Sequence, residues 1–263
     1  MAEREVLQGG VANAGSVVRE GDYVLRPSSP HSGVLHALFR HVRAAGFDGV
    51  PDPVGIDPDG RERLIFIPGD VAVPPFPAWS QTDKALASVA ELLARFHDAA
   101  AGFEAPPETA WSRELADRAG GSVVCHNDVC LENVVFRDGA AVALLDFDFA
   151  APGRALYDLA AMARMCVPLD TPADALVWGR GPFDPFGRLR LVADSYGLPP
   201  GREDLVHIIE ESMVLGGEFV RRRVERDEPA FVEMWEQMGG QARFDRRREW
   251  FAQNRSRFLE ALG

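Results

Sequence analysis

Lysine is almost missing from this chain: Lys84 stands alone against 27 arginines in 263 residues. Amine catalysis is nearly closed to it, and a role that elsewhere falls to lysine must be taken by arginine. Cysteine is scarce as well, and three residues are too few for a disulfide framework. Apolar runs stay well short of a membrane span, and the opening MAEREVLQGG lacks the basic-then-apolar order of a secretion signal. A cytoplasmic protein with no membrane partner is expected. Positive charge is in deficit too: the net charge of -12 argues against a nucleic-acid partner. It is compatible with a cationic ligand, although acids also serve solubility.

What is present suits an ordinary globular chain, with 46% hydrophobic and 26% charged residues and length for two lobes sharing a cleft. Short strands are expected around Ser16 to Arg19, Asp22 to Arg26 and Arg63 to Ile67, the first two joined by a turn at Glu20-Gly21-Asp22. Between these two and the third strand, HSGVLHALFRHVRAAG puts Val34, Leu35, Leu38, Phe39 and Val42 on one helix face, with Gly46 to end it. Four prolines from Pro68 to Pro77 read as a connector, which divides the chain into residues 1–69 and 70–263. Ser80-Gln81-Thr82-Asp83 then looks like a capping box before a helix with Leu86, Val89, Leu92, Leu93 and Phe96 on its apolar face. A short helix is expected near Trp111 to Ala119. Strands follow in SVVCH, NVVFRDG and AVALLDFD, with a hairpin turn at Asp138-Gly139, and the rest from Arg154 is mostly helix.

VVCHNDVCLENVVF, from Val123 to Phe136, concentrates the candidate chemistry. Cys125, His126 and Cys130 could be read as zinc ligands, but no C-x-x-C or second histidine cluster is nearby. Cys125 and His126 are adjacent and point to opposite sides of a strand, which disfavours a Cys-His nucleophile pair. His126, Asp128 and Asn133 instead stand at the spacing H-x-D-x-x-x-x-N of a kinase catalytic loop, and the strand that follows the hairpin delivers Asp146 in LLDFD. Phosphoryl transfer needs just such a carboxylate to orient the acceptor hydroxyl, with oxygen ligands for magnesium. The glycine-containing turn from Gly9 to Gly15 can bring backbone N–H groups, around Gly9, Gly10, Asn13 and Ser16, close to phosphate oxygens. It is not a Walker A sequence, and an ordinary hairpin loop explains it equally well.

Taken with LLARFHDA, CHNDVCLEN, LLDFDFA and GRALYDLAAMAR in that order, the chain resembles the aminoglycoside phosphotransferase and choline kinase-like family over most of its length. That resemblance implies an α+β, two-lobed, protein-kinase-like fold, with a small β-rich nucleotide-binding lobe and a larger, mainly helical catalytic lobe. It implies an O-phosphotransferase that uses ATP, or GTP, and magnesium on a small-molecule hydroxyl. Asp128 would be the catalytic aspartate, Asn133 and Asp146 the magnesium ligands, and the backbone at Ile65, Phe66 and Ile67 the adenine contact. Asp158 would brace the catalytic loop, His126 would shape it by hydrogen bonding, and His97 would pack the lobe; the role of Asp148 stays open. Arg26 stands where the family usually has lysine and is expected on the phosphates, but the following helix carries no glutamate to pair with it. Weak nucleotide affinity or a catalytically silent nucleotide binder are the corresponding alternatives. Glu203, Asp204, Glu210, Glu211 and Glu218 suggest a cationic acceptor such as an aminoglycoside; a choline- or amino-sugar-like metabolite is the other choice, and solvated helix faces explain the same acids.

Overall fold

The computed structural model describes residues 4–7, 15–107 and 109–263. Its first part is an antiparallel sheet flanked by one helix. Strands β1 (Arg4–Val6), β2 (Val18–Glu20) and β3 (Tyr23–Pro27) precede helix α1 (Ser32–Ala44), and β4 (Asp52–Ile56) and β5 (Arg61–Ile65) follow it. The sheet order is β1-β2-β3-β5-β4. Helix α1 buries Val34, Leu35, Leu38, Phe39 and Val42, as its apolar periodicity requires, and ends where Gly46 takes a φ of +88°. Strand β4 was not expected, because Pro53 breaks the strand pattern; its place at the sheet edge tolerates the missing N–H.

The connector contains β6 (Asp70–Val71), which pairs with a strand of the second part. Helix α2 (Asp83–Ala100) then forms the central pillar, with Val89, Leu93 and Phe96 fully buried. Its N-cap is Thr82, whose hydroxyl accepts from the Ala85 N–H at 3.1 Å, while Ser80 lies in a preceding turn of 3-10 helix; the cap therefore sits within the expected box, two residues past Ser80. Strands β7 (Val123–Cys125), β8 (Val134–Arg137), β9 (Ala140–Leu144) and β10 (Ala151–Gly153) form two small sheets, β6-β8-β9 and β10-β7. Asp138 and Gly139 both adopt positive φ, the backbone a two-residue hairpin turn demands.

Helices α3 (Ala155–Cys166), α4 (Pro172–Val177), α5 (Pro185–Tyr196), α6 (Asp204–Glu225), α7 (Pro229–Gln237), α8 (Gly240–Gln253) and α9 (Arg255–Leu262) complete the chain. A break at Gly239 and Gly240, both with positive φ, separates α7 from α8, and another at Asn254 separates α8 from α9. The helix expected near Trp111 to Ala119 is absent, and the segment is irregular. Tertiary contacts outcompete local propensity there: Asp117 accepts from the Ala119 and Arg154 N–H groups and from the Arg154 guanidinium, while Leu115 packs with Phe219 and Phe231. One apolar core runs from Leu35 on α1 through Phe96, Leu131 and Leu144 to Leu262, so the sheet-bearing part and the helical part are packed on each other. Among the described residues no helix is long and apolar enough to cross a membrane.

Candidate active site

Strand β7 ends at Cys125 and releases the chain into a loop whose backbone is held by buried carboxylate oxygens. Asp158 of α3 accepts from the N–H groups of His126 (2.6 Å) and Asn127 (2.7 Å) and from His97 Nε2 (2.9 Å). This bracing holds Asn127 at a φ of +66°, in the left-handed region that asparagine tolerates better than most non-glycine residues. Burial works against the charge of Asp158, but the His97 and backbone hydrogen bonds and the nearby imidazoles outweigh it and hold the carboxyl below its usual range. His97 completes the chain of contacts through Nδ1, 2.7 Å from the Tyr196 hydroxyl. His126 is fully buried and accepts from the Asp128 N–H at Nδ1, so its Nε2–H donates to the Leu145 carbonyl at 2.8 Å. It thereby ties the loop to the residue preceding Asp146, where a φ of +58° turns the chain.

These restraints gather Asp128, Asn133 and Asp146. Asn133 Nδ2 donates to the Asp128 carbonyl at 2.9 Å and to its Oδ2 at 3.2 Å, and Leu145 N–H donates to the Asn133 carbonyl at 2.8 Å. Burial, reinforced by the charge of Asp146, pushes the Asp128 carboxyl up to about 7 against the opposing pull of Arg164. Burial and the neighbouring Asp148 charge likewise raise Asp146 to about 6, opposed by Arg26. Because Asn133 spends its amide N–H on Asp128, its amide oxygen is left as an acceptor, and Asp146 adds a carboxylate in the same cavity. That hard oxygen donor set fits a magnesium ion.

The helix after β3 carries no glutamate, as the sequence shows, but Arg26 finds one on β5. In the β3–β5 register it stands opposite Glu62, and its Nε lies 3.0 Å from Glu62 Oε2. The helix contributes a histidine instead, with His36 Nε2 3.2 Å from Glu62 Oε1, an ion-pair contact rather than a well-aligned hydrogen bond. The other end of Arg26 reaches Asp146 at 3.3 Å and makes a short contact with Asp148. Glu62 and His36 were both missed from the sequence. The available signal was a charged residue at an inward position of RERLI, where Glu62 alternates with buried Leu64.

A cavity of about 430 Å³ opens between the two parts, lined by Val17, Val24, Val71 and Val135 and reaching Arg26, Asn133 and Asp146. Ile65, Phe66 and Ile67 form its rim. The Phe66 N–H is already given to the Asp22 carbonyl at 2.8 Å, and Arg19 stacks on the Phe66 ring at 3.8 Å. Ser16 does not line the cavity, and its carbonyl accepts from Arg61. Gly9, Gly10 and Asn13 lie outside the described residues.

The cysteines do not converge on His126. Burial pushes the thiols of Cys125, Cys130 and Cys166 far up, so they behave as small apolar groups. Among the described residues the group with metal-ligand proximity is His97, Cys125 and Asp158, all buried, and there His97 and Asp158 are already committed to the hydrogen bonds that brace the loop. Three of the five acids singled out in the sequence are engaged: Glu211 pairs with Arg154 and His207, Glu218 with Arg118 and Arg222, and Glu210 with Arg255.

The sequence profile of the phosphotransferase enzyme family matches residues 104–191, which include the whole of this loop. The trifolitoxin immunity protein of Rhizobium leguminosarum bv. trifolii is 36% identical over 191 residues, 70% of this chain and 70% of that protein. In three dimensions the chain is similar to a choline/ethanolamine kinase family protein from Mesorhizobium loti, with a TM-score of 0.65 at 18% identity over 100% of this chain and 92% of that one. It is also similar to aminoglycoside 2'-phosphotransferase-IIIa, solved with GDP, with a TM-score of 0.58 at 16% identity over 96% and 93% of the two chains. The fold is thus the protein-kinase-like one, and the chain belongs to the phosphotransferase enzyme family.

Proposed function

We propose that this protein transfers the terminal phosphoryl group of ATP to a hydroxyl of a small molecule, with the nucleotide seated between residues 1–69 and 70–263. In this reading Asp128 receives the hydroxyl hydrogen bond and orients the oxygen for attack. The Ile65 carbonyl and the Ile67 N–H hold the adenine edge, since the Phe66 N–H is already used within the sheet. Arg26 grips the phosphates from above while Glu62 keeps its guanidinium at the cavity wall. Asn133 and Asp146 hold magnesium, which when bound neutralises charge on the phosphate oxygens. The catalytic work of the chain is positioning, which is why so much hydrogen bonding is spent on a loop of eight residues from His126 to Asn133. GTP is the alternative donor. We place the reaction in the cytoplasm, where such nucleotides and magnesium are abundant.

The observation that carries this reading is the Asp128–Asn133 contact at 3.2 Å, which ties Asp128 to a cavity that Asn133 and Asp146 line together with valines and Arg26. The name of the relative in Rhizobium adds toxins to the range of acceptors worth testing. The test is release of ADP or GDP with magnesium across aminoglycosides, other aminated antibiotics, choline and sugar amines. Acceptor-dependent nucleotide consumption supports the reading. Nucleotide binding that needs no magnesium and never leads to turnover would replace it with a silent binder.

A further inference from the structure

All three nitrogens of the Arg26 guanidinium face carboxylates, and the carboxylates lie on two different parts of the chain. Nε stands 3.0 Å from Glu62 Oε2, an ion-pair contact within one sheet, fixed by the β3–β5 register. Nη1 and Nη2 reach across to the segment after β9, Nη1 to Asp146 Oδ1 at 3.3 Å and Nη2 to Asp148 Oδ1 in a short contact. One edge of the guanidinium is therefore anchored in its own sheet. The other two nitrogens bridge the cavity that Arg26 and Asp146 line together.

Asp146 Oδ1 is claimed twice. As a metal ligand that oxygen would stand about 2.1 Å from magnesium, and with Nη1 3.3 Å away on the same atom, ion and guanidinium would lie within about 5–6 Å of each other. Like charges at that separation, in a cleft partly shielded from water, repel strongly. Asp148 offers no way round, because its Oδ1 is held by the same guanidinium. Burial pulls against the charge of Arg26, but Asp148, Asp146 and Glu62 outweigh it and hold the guanidinium above its already high range, so it does not yield by losing a proton. It yields by moving. With Nε kept on Glu62 as a pivot, the Nη end can turn from Asp146 and Asp148 without breaking the buried pair, and a polyphosphate offers that end the oxygen acceptors a forked donor suits.

We infer that Arg26 is a tethered cation that closes the metal site when no nucleotide is bound: it holds Asp146 and Asp148 until nucleotide phosphates draw its Nη groups away, so that divalent metal enters with the nucleotide and not before it. The inference rests on the nucleotide-and-magnesium reading above and adds an order of binding to it. Glu62 is then a positioning residue, the anchor about which the guanidinium turns.

The test is a titration of the full chain with manganese(II) alone, an oxygen-preferring stand-in for magnesium, read by loss of the free ion's spin-resonance signal. The natural chain should bind it weakly. Arg26→Gln should bind it at least about tenfold more tightly, a conservative floor for taking a unit positive charge from beside a divalent ion. Arg26→Lys keeps the charge and should restore most of the exclusion. Arg63→Gln removes the same charge from the opposite face of β5, where Arg63 pairs with Asp57, and should stay within about twofold of the natural chain. Magnesium alone should likewise raise the melting temperature of Arg26→Gln and not that of the natural chain. ATP in EDTA should bind Arg26→Gln at least about tenfold more weakly, since the Nη groups that move to the phosphates are gone. If Arg26→Gln folds poorly, Arg26→Met combined with Glu62→Met replaces the pair by apolar groups of similar length and serves the same titrations. Equal manganese affinity with and without Arg26, an equal gain in Arg63→Gln, or equal ATP affinity in EDTA would overturn the inference. None of these readouts needs turnover: Asp128-dependent ATP consumption would survive their failure, whereas its absence beside the expected metal result would remove the phosphotransferase reading and leave the exclusion of metal by Arg26 in place.

Discussion

Glu62→Ala is the substitution whose consequence the structure specifies most closely. The carboxylate is 5% exposed and touches two cationic or hydrogen-bonding partners, Arg26 at 3.0 Å and His36 at 3.2 Å. Removing one member of a buried ion pair costs about 3–5 kcal/mol when the other is left uncompensated. Arg26 keeps Asp146 and Asp148, so its charge is not stranded, and the expected loss lies at the lower end, about 3 kcal/mol. Glu62→Gln keeps the shape and should lose about 1–2 kcal/mol. Urea denaturation at neutral pH measures both. The pH dependence carries a sign. Burial works against the charge of Glu62, but the contacts of His36 and Ser32 and the charge of Arg26 outweigh it, so the folded carboxyl titrates below its ordinary range. Its contribution is fully present above the unfolded value of about 4.3 and is lost as pH falls through the lower folded value. The stability gap between the natural chain and Glu62→Gln should therefore narrow below about pH 4. A loss in Glu62→Ala smaller than about 1 kcal/mol, or a gap that widens in acid, would refute the reasoning.

Asp158→Ala strips the acceptor from the His126 and Asn127 N–H groups at 2.6 and 2.7 Å; it should cost about 3–5 kcal/mol and lower kcat as the loop loosens. A thermal melt within experimental error of the natural chain would contradict it. Gly121→Ala would place a Cβ 2.0 Å from the Gly153 carbonyl oxygen, so the segment before β7 must move away from β10, at about 1–3 kcal/mol in chemical denaturation; a neutral result would mean the approach is looser. Phe96→Ala opens a void against Phe147, whose ring centroid is 5.4 Å away, and should cost about 3–5 kcal/mol by the same measurement.

The candidate loop stands out in the sequence because its residues are local. His126, Asp128 and Asn133 fall within eight residues, their spacing suits one turn of chain between two strands, and Asp146 ends the next apolar strand. The α1 and α2 faces were legible for the same reason, since helix periodicity needs no knowledge of the partner. What escaped depends on pairing across the fold. Arg26 meets Glu62 only through the β3–β5 register, a relation between strands with a helix and another strand between them. Arg164 looks like an ordinary helix arginine until α6 brings Ser212 and Gly216 against it. The helix expected near Trp111 failed because Asp117 and Leu115 find distant partners, which local propensity cannot register.

The central claim is that Asp128 orients the acceptor while other residues hold the nucleotide, and Asp128→Asn tests it most directly. Nucleotide affinity and phosphoryl transfer should be measured side by side on the same preparation. The account predicts a fall in kcat of at least about 10²-fold with the dissociation constant for magnesium-ATP within a few-fold of the natural chain. Unchanged turnover in Asp128→Asn would contradict it.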